Sequence, residues 1–193
     1  MIRAPELGLL ATVGSVCGIE VRPKVKRVHR SIKIGILSSG NELVDATSES
    51  PLPSGKIRDS NKCMLMAVAG GTLLGNGDEV VDLGSVKDEA SEIDRAVARA
   101  LDLQCNVLIT SGGVSMGEMD LIKPYVEQKG EVFFGRLNMK PGKPTTFGRI
   151  QDLLVLALPG NPVSCFVSSS LFLRPMVHML ATGTRRDNRS VRA

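Results

Sequence analysis

Apolar and polar positions alternate along the chain in two patterns. Short, mostly apolar runs rich in β-branched residues occupy 32–37 (IKIGIL), 79–84 (EVVDLG), 106–110 (NVLIT) and 153–158 (LLVLAL). Runs of this length and composition are typical of strands that are covered on both faces. The pattern therefore predicts four buried strands.

Helical patterns lie between these runs. In the segment DEASEIDRAVARALDL, Ile93, Val97 and Leu101 recur every four residues, while charged side chains occupy the other faces. A second helix is predicted to begin at Ser60 and to end at the glycine pair 70–71. Strands that alternate with helices predict an α/β fold with a mainly parallel sheet and right-handed crossovers.

Two segments need separate interpretation. Residues 131–150 contain Pro141 and Pro144 and are predicted to form an irregular, hairpin-like insertion on the rim of the sheet. A last helix is predicted from Asn161, its N-cap, with Pro162 at the first helical position. Pro175 should kink or restart that helix.

Composition narrows the classes of partner. The chain has 193 residues, 42% of them hydrophobic and 23% charged, which is typical of a folded globular domain. Part of the net charge of +4 lies in the final segment TGTRRDNRSVRA, which is predicted to be a solvated tail. Aromatic residues make up only 3%, so the stacking platforms of single-strand nucleic-acid binders are missing. We expect no nucleic-acid partner.

Cysteine spacing and hydropathy indicate a reducing compartment. Cys17, Cys63, Cys105 and Cys165 form no C-x-x-C pair, so neither a zinc site nor a redox motif is predicted, and the last three are predicted to be buried small hydrophobes. We find no apolar run of about 18 residues, the minimum for a membrane span. The first residues lack the zones of a secretion signal. These features predict a cytoplasmic protein without a membrane span.

Four polar stretches follow the four predicted strands: SSGNEL, SVKDE, SGGVSMGEMD and LPGNPVS. The carboxyl ends of parallel strands meet at one edge of a sheet, and ligands of open α/β sheets bind there. Each stretch alone is also explained as a tight turn or a helix cap. Asp88, for example, is well placed to cap the helix that follows it, and Asn41, Asn161 and Ser164 also have cap or turn interpretations.

The stretch after the third strand combines an anion site with an acid. Gly112 and Gly113 allow close approach of a phosphate, Ser111 and Ser115 supply hydroxyl donors, and a helix start follows. Asp120 would repel the same phosphate unless a divalent cation lay between them, as Mg²⁺ does when carboxylate and phosphate oxygens share it. The stretch predicts a Mg²⁺-bridged phosphate site with Asp120 as metal ligand.

A basic segment, RLNMKPGK, places Arg136, Lys140 and Lys143 close together in sequence, with Pro141 and Pro144 stiffening the backbone. Rigid placement of two lysines suits a compact oxyanion. The alternative is a solvated basic hairpin.

Six motifs in order, SSGNEL, GKIRDSN, LGSVKD, ITSGGVSMGEMD, GRLNMKPGKPTTF and ALPGNPVS, resemble the molybdopterin-binding domain of molybdopterin molybdotransferases, the family of bacterial MoeA and the eukaryotic gephyrin E-domain. The resemblance covers about residues 31–180 and implies a three-layer α/β/α fold. It also implies insertion of molybdate into adenylylated molybdopterin with Mg²⁺ and release of AMP. It divides the chain into a remnant of a preceding domain (1–30), a molybdopterin-binding domain (31–181) and a basic tail (182–193).

The resemblance also assigns roles by motif. It implies catalytic roles for Asp88, Asp120, Lys140 and Lys143, the two lysines belonging to the molybdate-side segment. It implies that the pterin nucleotide is bound by Asn41, Glu42, Ser111, Gly112, Gly113, Ser115, Arg136, Pro144, Pro159, Asn161, Pro162 and Ser164. Arg136 stands where bacterial members often have lysine, and an arginine there resembles the gephyrin type.

Family members are longer than this chain, and their site lies between this domain and the partner subunit's other domains. The resemblance therefore implies a fragment of a protein that forms homodimers, and we expect this fragment to catalyse poorly alone. Two alternatives stay open. One is the sister adenylyltransferase of the same fold, although SGGVSMGE with KPGKP favours the transferase over a TGGTG-type loop. The other is a gephyrin-like scaffold domain that anchors a partner peptide.

Overall fold

A computed structural model describes residues 31–73, 77–113 and 121–183. The expectations for residues 1–30 and for most of the basic tail lie outside these ranges. Within them, the main sheet has six strands: β1 (Lys33–Ser39), β4 (Glu79–Val86), β5 (Val107–Ser111), β6 (Glu131–Phe134), β7 (Thr146–Ile150) and β8 (Leu153–Leu158). Their spatial order is β4-β1-β5-β8-β7-β6. A small parallel pair, β2 (Leu43–Val44) and β3 (Ile57–Arg58), lies apart from it.

The predicted α/β fold is confirmed. Strands β4, β1, β5 and β8 are parallel, and β7 and β6 extend the sheet in antiparallel fashion beyond β8. Residues 131–150 therefore form the predicted hairpin, and its strands belong to the sheet itself. Helices cover both faces, which gives the three layers. They are α1 (Ser60–Gly70), α2 (Ala90–Asp102), α3 (Ile122–Lys129) and α4 (Pro162–Thr182).

Two apolar cores hold the layers together. Leu65 of α1 and Leu173 of α4 pack with Ile34 and Ile109 on one face of the sheet. On the other face, α2 and α3 pack against residues such as Leu108. Fully burying a side chain of this size stabilises the fold by about 1.5–3 kcal/mol. The central strands β1, β5 and β8 are buried on both faces, as their apolar runs predict.

Strand β4 was wrongly predicted to be covered on both faces. It is the edge strand, and only Leu83 among its residues is buried. Cys63 is exposed and was wrongly predicted to be buried, whereas Cys105 and Cys165 are buried. Cys63 follows two buried residues on α1, but its own position on the helix faces solvent.

Three of the four helices had a predicted start, and at two of these three the observed N-cap differs from the prediction. Asn161 caps α4 as predicted, its side chain accepting the Ser164 N–H, with Pro162 in the first turn. The predicted helix from Ser60 to the glycine pair is confirmed as α1, but its N-cap is the preceding residue, Asp59, whose carboxylate accepts the Lys62 N–H at 3.0 Å. The N-cap of α2 is Glu89, which makes no side-chain cap bond.

Helix α4 continues through Pro175 to Thr182, so it does not restart there. Its length and apolar composition would suffice to cross a membrane. It lies against the sheet, however, and its buried residues include Cys165, Leu173 and Val177. One side of α4 is therefore packed on the sheet, whereas Phe166 and Leu171 on the helix are about half exposed.

Candidate functional site at the carboxyl edge of the sheet

The sheet topology brings all the predicted loops to one edge. The loops after β1, β4, β5 and β8 share the carboxyl edge, because these four strands are parallel. The connection between β6 and β7 reaches the same edge, since β7 is antiparallel and its first residue, Thr146, pairs with Ala157 near the end of β8. Arg136, Lys140 and Lys143 lie in that connection. The phosphate-type loop and the basic segment are therefore on the same side of the molecule.

A row of serines forms the floor of the site. Ser38 of β1 is in register with Ser85 of β4 and with Ser111 of β5. The first turn of α1 lies over this row. Ser85 Oγ donates to Asp59 Oδ2 at 3.0 Å, and Asn61 Nδ2 donates to Ser111 Oγ at 2.7 Å. The start of α1 is thereby joined to two strand ends.

Only glycine fits at position 112. Its φ is +88°, and a Cβ there would lie 2.1 Å from the Ser39 carbonyl oxygen. The Gly112 N–H donates to the Leu158 carbonyl at 3.1 Å, which joins the loop to the end of β8. Gly113 also has a positive φ, +66°. The positive φ of both residues, together with the close approach of Gly112 to the Ser39 backbone, explains the glycine pair without reference to a ligand.

The start of α3 has fewer free N–H donors for an anion than the sequence predicts. The Gly113 carbonyl accepts the N–H groups of Leu121 and Ile122, at 3.0 and 3.2 Å. Two donors at this helix start are therefore already paired. Ser115 and Asp120, the predicted hydroxyl donor and metal ligand, lie outside the described residues.

Asp88 joins two loops. Ser39 Oγ donates to Asp88 Oδ1 and the Asn41 N–H to Asp88 Oδ2 at 3.4 Å, while the Asp88 N–H donates to Asn41 Oδ1 at 3.3 Å. Its carboxylate faces the β1 loop, so the interpretation of Asp88 as a helix cap is wrong. Glu42, in the same loop, is exposed and borders a pocket of about 80 Å³.

That pocket lies between the α1 start, the β1 loop and the ends of β5 and β8. Its lining includes the predicted residues Glu42, Ser111, Gly112 and Pro162. Five further polar residues that were not predicted as site residues also line it: Ser39, Arg58, Asp59, Ser60 and Asn61. Four of these belong to the motif GKIRDSN, whose polar run RDSN was the signal that could have identified them.

The basic segment is anchored to α4. The Leu137 N–H donates to the Lys143 carbonyl at 2.8 Å, and Thr145 Oγ1 donates to the Gly142 carbonyl at 2.7 Å. Gly142 has a φ of +101°, and a Cβ there would lie 2.5 Å from Ser168 Oγ. The loop is therefore held at its base.

Above this base, the side chains of Arg136, Lys140 and Lys143 are exposed, and Pro144 is half-buried. In the loop after β8, the Asn161 side chain caps α4, so its cap interpretation is confirmed. Ser164 supplies the capped N–H and also contacts Asn161 Oδ1 through its hydroxyl at 3.4 Å. Pro159 directly follows β8 at the same edge.

Within the described ranges, no three His, Cys, Asp or Glu side chains are grouped so as to hold a metal ion. Mg²⁺ needs no such group, because it is usually held by one or two carboxylates together with phosphate oxygens and water. Glu42 and Asp88 are two carboxylates bordering the same loop.

Comparison with known proteins agrees with this architecture. Residues 35–179 match the family model described as a probable molybdopterin binding domain. The chain belongs to this family. It is 38% identical over 154 residues to a molybdopterin molybdenumtransferase of Haemophilus influenzae, covering 80% of this chain and 36% of that protein. It is 36% identical to a gephyrin of Dictyostelium discoideum, covering 98% of this chain and 28% of that protein.

A solved structure, the molybdopterin biosynthesis MoeA protein from Pyrococcus horikosii, superposes on 92% of this chain with a TM-score of 0.67 and 28% identity. This chain covers 40% of the length of that protein. It thus spans about a third of the length of these relatives. A role in molybdenum cofactor biosynthesis, through a molybdopterin-binding domain, follows from the family.

Proposed function

We propose that this chain is the molybdopterin-binding domain of a molybdotransferase, which inserts molybdate into adenylylated molybdopterin and releases AMP. One observation carries the proposal. The sheet topology places the exposed lysines Lys140 and Lys143 at the same edge as the Gly112 loop and the loop after β8. A site that joins an oxyanion to a pterin nucleotide needs both kinds of loop within reach of one another.

The parts of the site have separate roles in this proposal. The pterin lies against Ser111, Gly112, Gly113 and the loop that contains Pro159, Asn161, Pro162 and Ser164. Asn41, Glu42, Ser115 and Arg136 contact the nucleotide and its phosphates, while Lys140, Lys143 and Pro144 receive molybdate. Charge-assisted hydrogen bonds from lysine to an oxyanion are about twice as strong as neutral ones.

Magnesium fits the described donors. Carboxylate oxygens from Glu42 and Asp88 border the β1 loop, and Mg²⁺ prefers oxygen ligands. Asp120 is the proposed direct ligand. When bound, the ion neutralises the phosphate charge that the carboxylates would otherwise repel. The cytoplasmic location, the homodimeric state of the longer protein and the boundaries at residues 30 and 182 belong to the same proposal.

The lysines provide the test. We expect Lys140→Ala, placed in the full-length protein, to raise the molybdate concentration for half-maximal AMP release from adenylylated molybdopterin by about 10- to 100-fold, because one charge-assisted contact contributes about 1.5–3 kcal/mol. Excess molybdate should partly restore the rate. Binding of adenylylated molybdopterin to the variant, measured by calorimetry, should stay near that of the unmodified chain.

Lys129→Ala is the matched control. Lys129 is also exposed to solvent, but it ends α3 near the opposite edge, where its amine contacts Asp94 at 3.5 Å. Lys129→Ala removes the same charge as Lys140→Ala and should shift the molybdate concentration for half-maximal AMP release by less than about 2-fold. Loss of pterin binding in Lys140→Ala with an unchanged molybdate response would place the lysines at the pterin phosphate and contradict the proposal.

A further inference from the structure

Asn61 is buried at the junction of three elements, with 9% of its surface exposed. Its Nδ2 group donates to Ser111 Oγ at 2.7 Å and to the Gly160 carbonyl at 2.8 Å. Both of its amide hydrogens are therefore in use. One of them reaches the end of β5 and the other reaches the loop after β8.

This bonding defines the orientation of the amide. The Gly160 carbonyl can only accept a hydrogen bond, so the nitrogen of Asn61 must face it and the oxygen must point elsewhere. Among the residues that the structure describes, Asn61 Oδ1 has no hydrogen-bond partner, although it is buried. A buried, unpaired carbonyl oxygen is costly, and native proteins rarely retain one without a reason.

The surroundings indicate what would complete this oxygen. Asn61 lines the pocket at the carboxyl edge, together with Ser111, Gly112 and Gly160. A carboxamide oxygen accepts hydrogen bonds only from donors, so a phosphate or molybdate oxygen cannot satisfy it at neutral pH. The complementary ligand group is therefore a hydrogen-bond donor, and the edge of an aminated heterocycle carries such a donor as an N–H.

We propose that Asn61 Oδ1 accepts a hydrogen bond from the amino group of the pterin ring and so selects an aminated pterin at this end of the pocket. The inference rests on the proposed function, which puts the pterin against the loop that contains Gly160. It adds to that function a specificity-determining contact from the first turn of α1.

The test compares two probes that differ in one group: pterin, and 4-hydroxypteridine, which lacks the 2-amino group. Calorimetry with the 193-residue chain should show about 10-fold tighter binding of pterin. In Asn61→Ala, this preference should fall below about 2-fold. Such a cycle isolates the coupling between one side chain and one ligand group.

The Asn61→Asp variant distinguishes a direct hydrogen bond to the ligand from a role of Asn61 in holding the loops together. It keeps an acceptor oxygen but loses the donor to Gly160, so both probes should bind more weakly while the preference for pterin stays near 10-fold. If Asn61 only held the loops together, Asn61→Asp and Asn61→Ala would lose the preference alike. Where Asn61→Ala fails to fold, as judged by its thermal transition, the Asp variant alone decides.

Asn106→Ala is the matched control. Asn106 Oδ1 already accepts the Lys33 N–H at 2.8 Å, at the opposite edge of the sheet. This variant should keep the 10-fold preference. Equal binding of both probes by the unmodified chain would overturn the inference and leave the proposed function standing. If the chain binds neither probe nor adenylylated molybdopterin, the proposed function fails, and the inference fails with it.

Discussion

Polar groups are paired to different extents at the carboxyl edge of the main sheet, where its parallel strands end, and at the amino edge, where they begin. Among the residues described, four buried side-chain atoms have no hydrogen-bond partner: Ser38 Oγ, Asn61 Oδ1, Thr110 Oγ1 and Thr146 Oγ1. All four lie at the carboxyl edge. At the amino edge, Asn106 accepts the Lys33 N–H, and Asp78 accepts the Ile32 N–H at 2.8 Å. The buried side-chain atoms that lack a partner in the described part of the chain are thus concentrated at the carboxyl edge.

Cavity volume alone would assign the binding site to the amino edge instead. A pocket of about 600 Å³ lies at the amino edge beside Lys33, Asn106 and Asp152, whereas the carboxyl-edge pocket has only about 80 Å³. The larger space adjoins Lys33, which is paired with Glu79, and Asn106, which accepts the Lys33 N–H. Unpaired buried groups cost about 1–3 kcal/mol each, so their concentration at one edge is better evidence of a binding site than volume is.

The largest expected effect comes from the glycine of the carboxyl edge. Gly112→Ala should lower the free energy of unfolding by about 4 kcal/mol, because strain at positive φ adds to the close contact of its Cβ with the Ser39 carbonyl. Gly84→Ala is the control at the edge strand. Gly84 has nearly the same φ, +91°, but open space around its Cβ, so we expect a loss of about 1.5 kcal/mol.

Urea unfolding of both variants measures this difference. Equal losses would mean that the Gly112 loop can relax away from Ser39. The glycine would then be present for its backbone conformation alone, and the loops after β1 and β5 would be less tightly packed than described.

The apolar pattern predicted the strands well and their carboxyl ends poorly. Strand β8 was predicted with its observed bounds, because its run is apolar throughout. Strand β1 continues to Ser39, two residues beyond the predicted end, since Ser38 still pairs with Ser85 and Ser111. An apolar run ends at the first polar residue, whereas the backbone hydrogen bonds between strands continue past it. The missed residues are those that enter the site.

Side-chain roles in the site depended on contacts that local sequence cannot show. Asp88 is a reasonable helix cap by spacing, but its partners Ser39 and Asn41 lie 49 and 47 positions away. Asn61 bonds to residues 50 and 99 positions away. The glycine pair and Asn161 were predictable because turns and caps are local.

The next effect concerns two adjacent threonines. Thr145 Oγ1 bonds to the Gly142 carbonyl and to Ser168 Oγ at 3.0 Å, while Thr146 Oγ1 is buried and unpaired within the described part of the chain. Thr145→Val should lower the free energy of unfolding by about 2 kcal/mol, because it leaves these partners unsatisfied. Thr146→Val should leave it unchanged or raise it by about 0.5 kcal/mol.

Thermal unfolding of the two variants measures this contrast between paired and unpaired groups. A loss of more than about 1 kcal/mol in Thr146→Val would show that its hydroxyl has a partner in the folded chain. Thr146 would then no longer belong with the incomplete groups of the carboxyl edge.

The smallest effect comes from Lys62, which is buried near the carboxyl edge and yet fully paired. Its amine contacts Asp45 at 3.3 Å and Asp82 at 3.4 Å. Burial opposes the charge, but attraction to Asp82 and Asp45 outweighs it and raises the pKa of Lys62. The two aspartates are about half exposed and stay hydrated when the amine is removed, so Lys62→Met should lower the free energy of unfolding at pH 7 by only about 1 kcal/mol. Because Lys62 is paired within the fold, we expect pterin binding to stay unchanged.

The pH dependence of this difference follows from the signs of the two shifts. A raised lysine pKa stabilises the fold below the ordinary lysine pKa of 10.5, and this contribution is lost as pH rises through the folded value. Hydrogen bonds from Thr47, then Lys62, lower the pKa of Asp45 from 3.8 to about 2, so its contribution is lost as pH falls from 3.8 towards 2. The difference between the unmodified chain and Lys62→Met, measured by urea unfolding, should therefore be flat between these limits and shrink outside them. A difference that varies between pH 5 and 9 would assign it to another group, and weaker pterin binding in Lys62→Met would show that paired groups at this edge also serve the ligand.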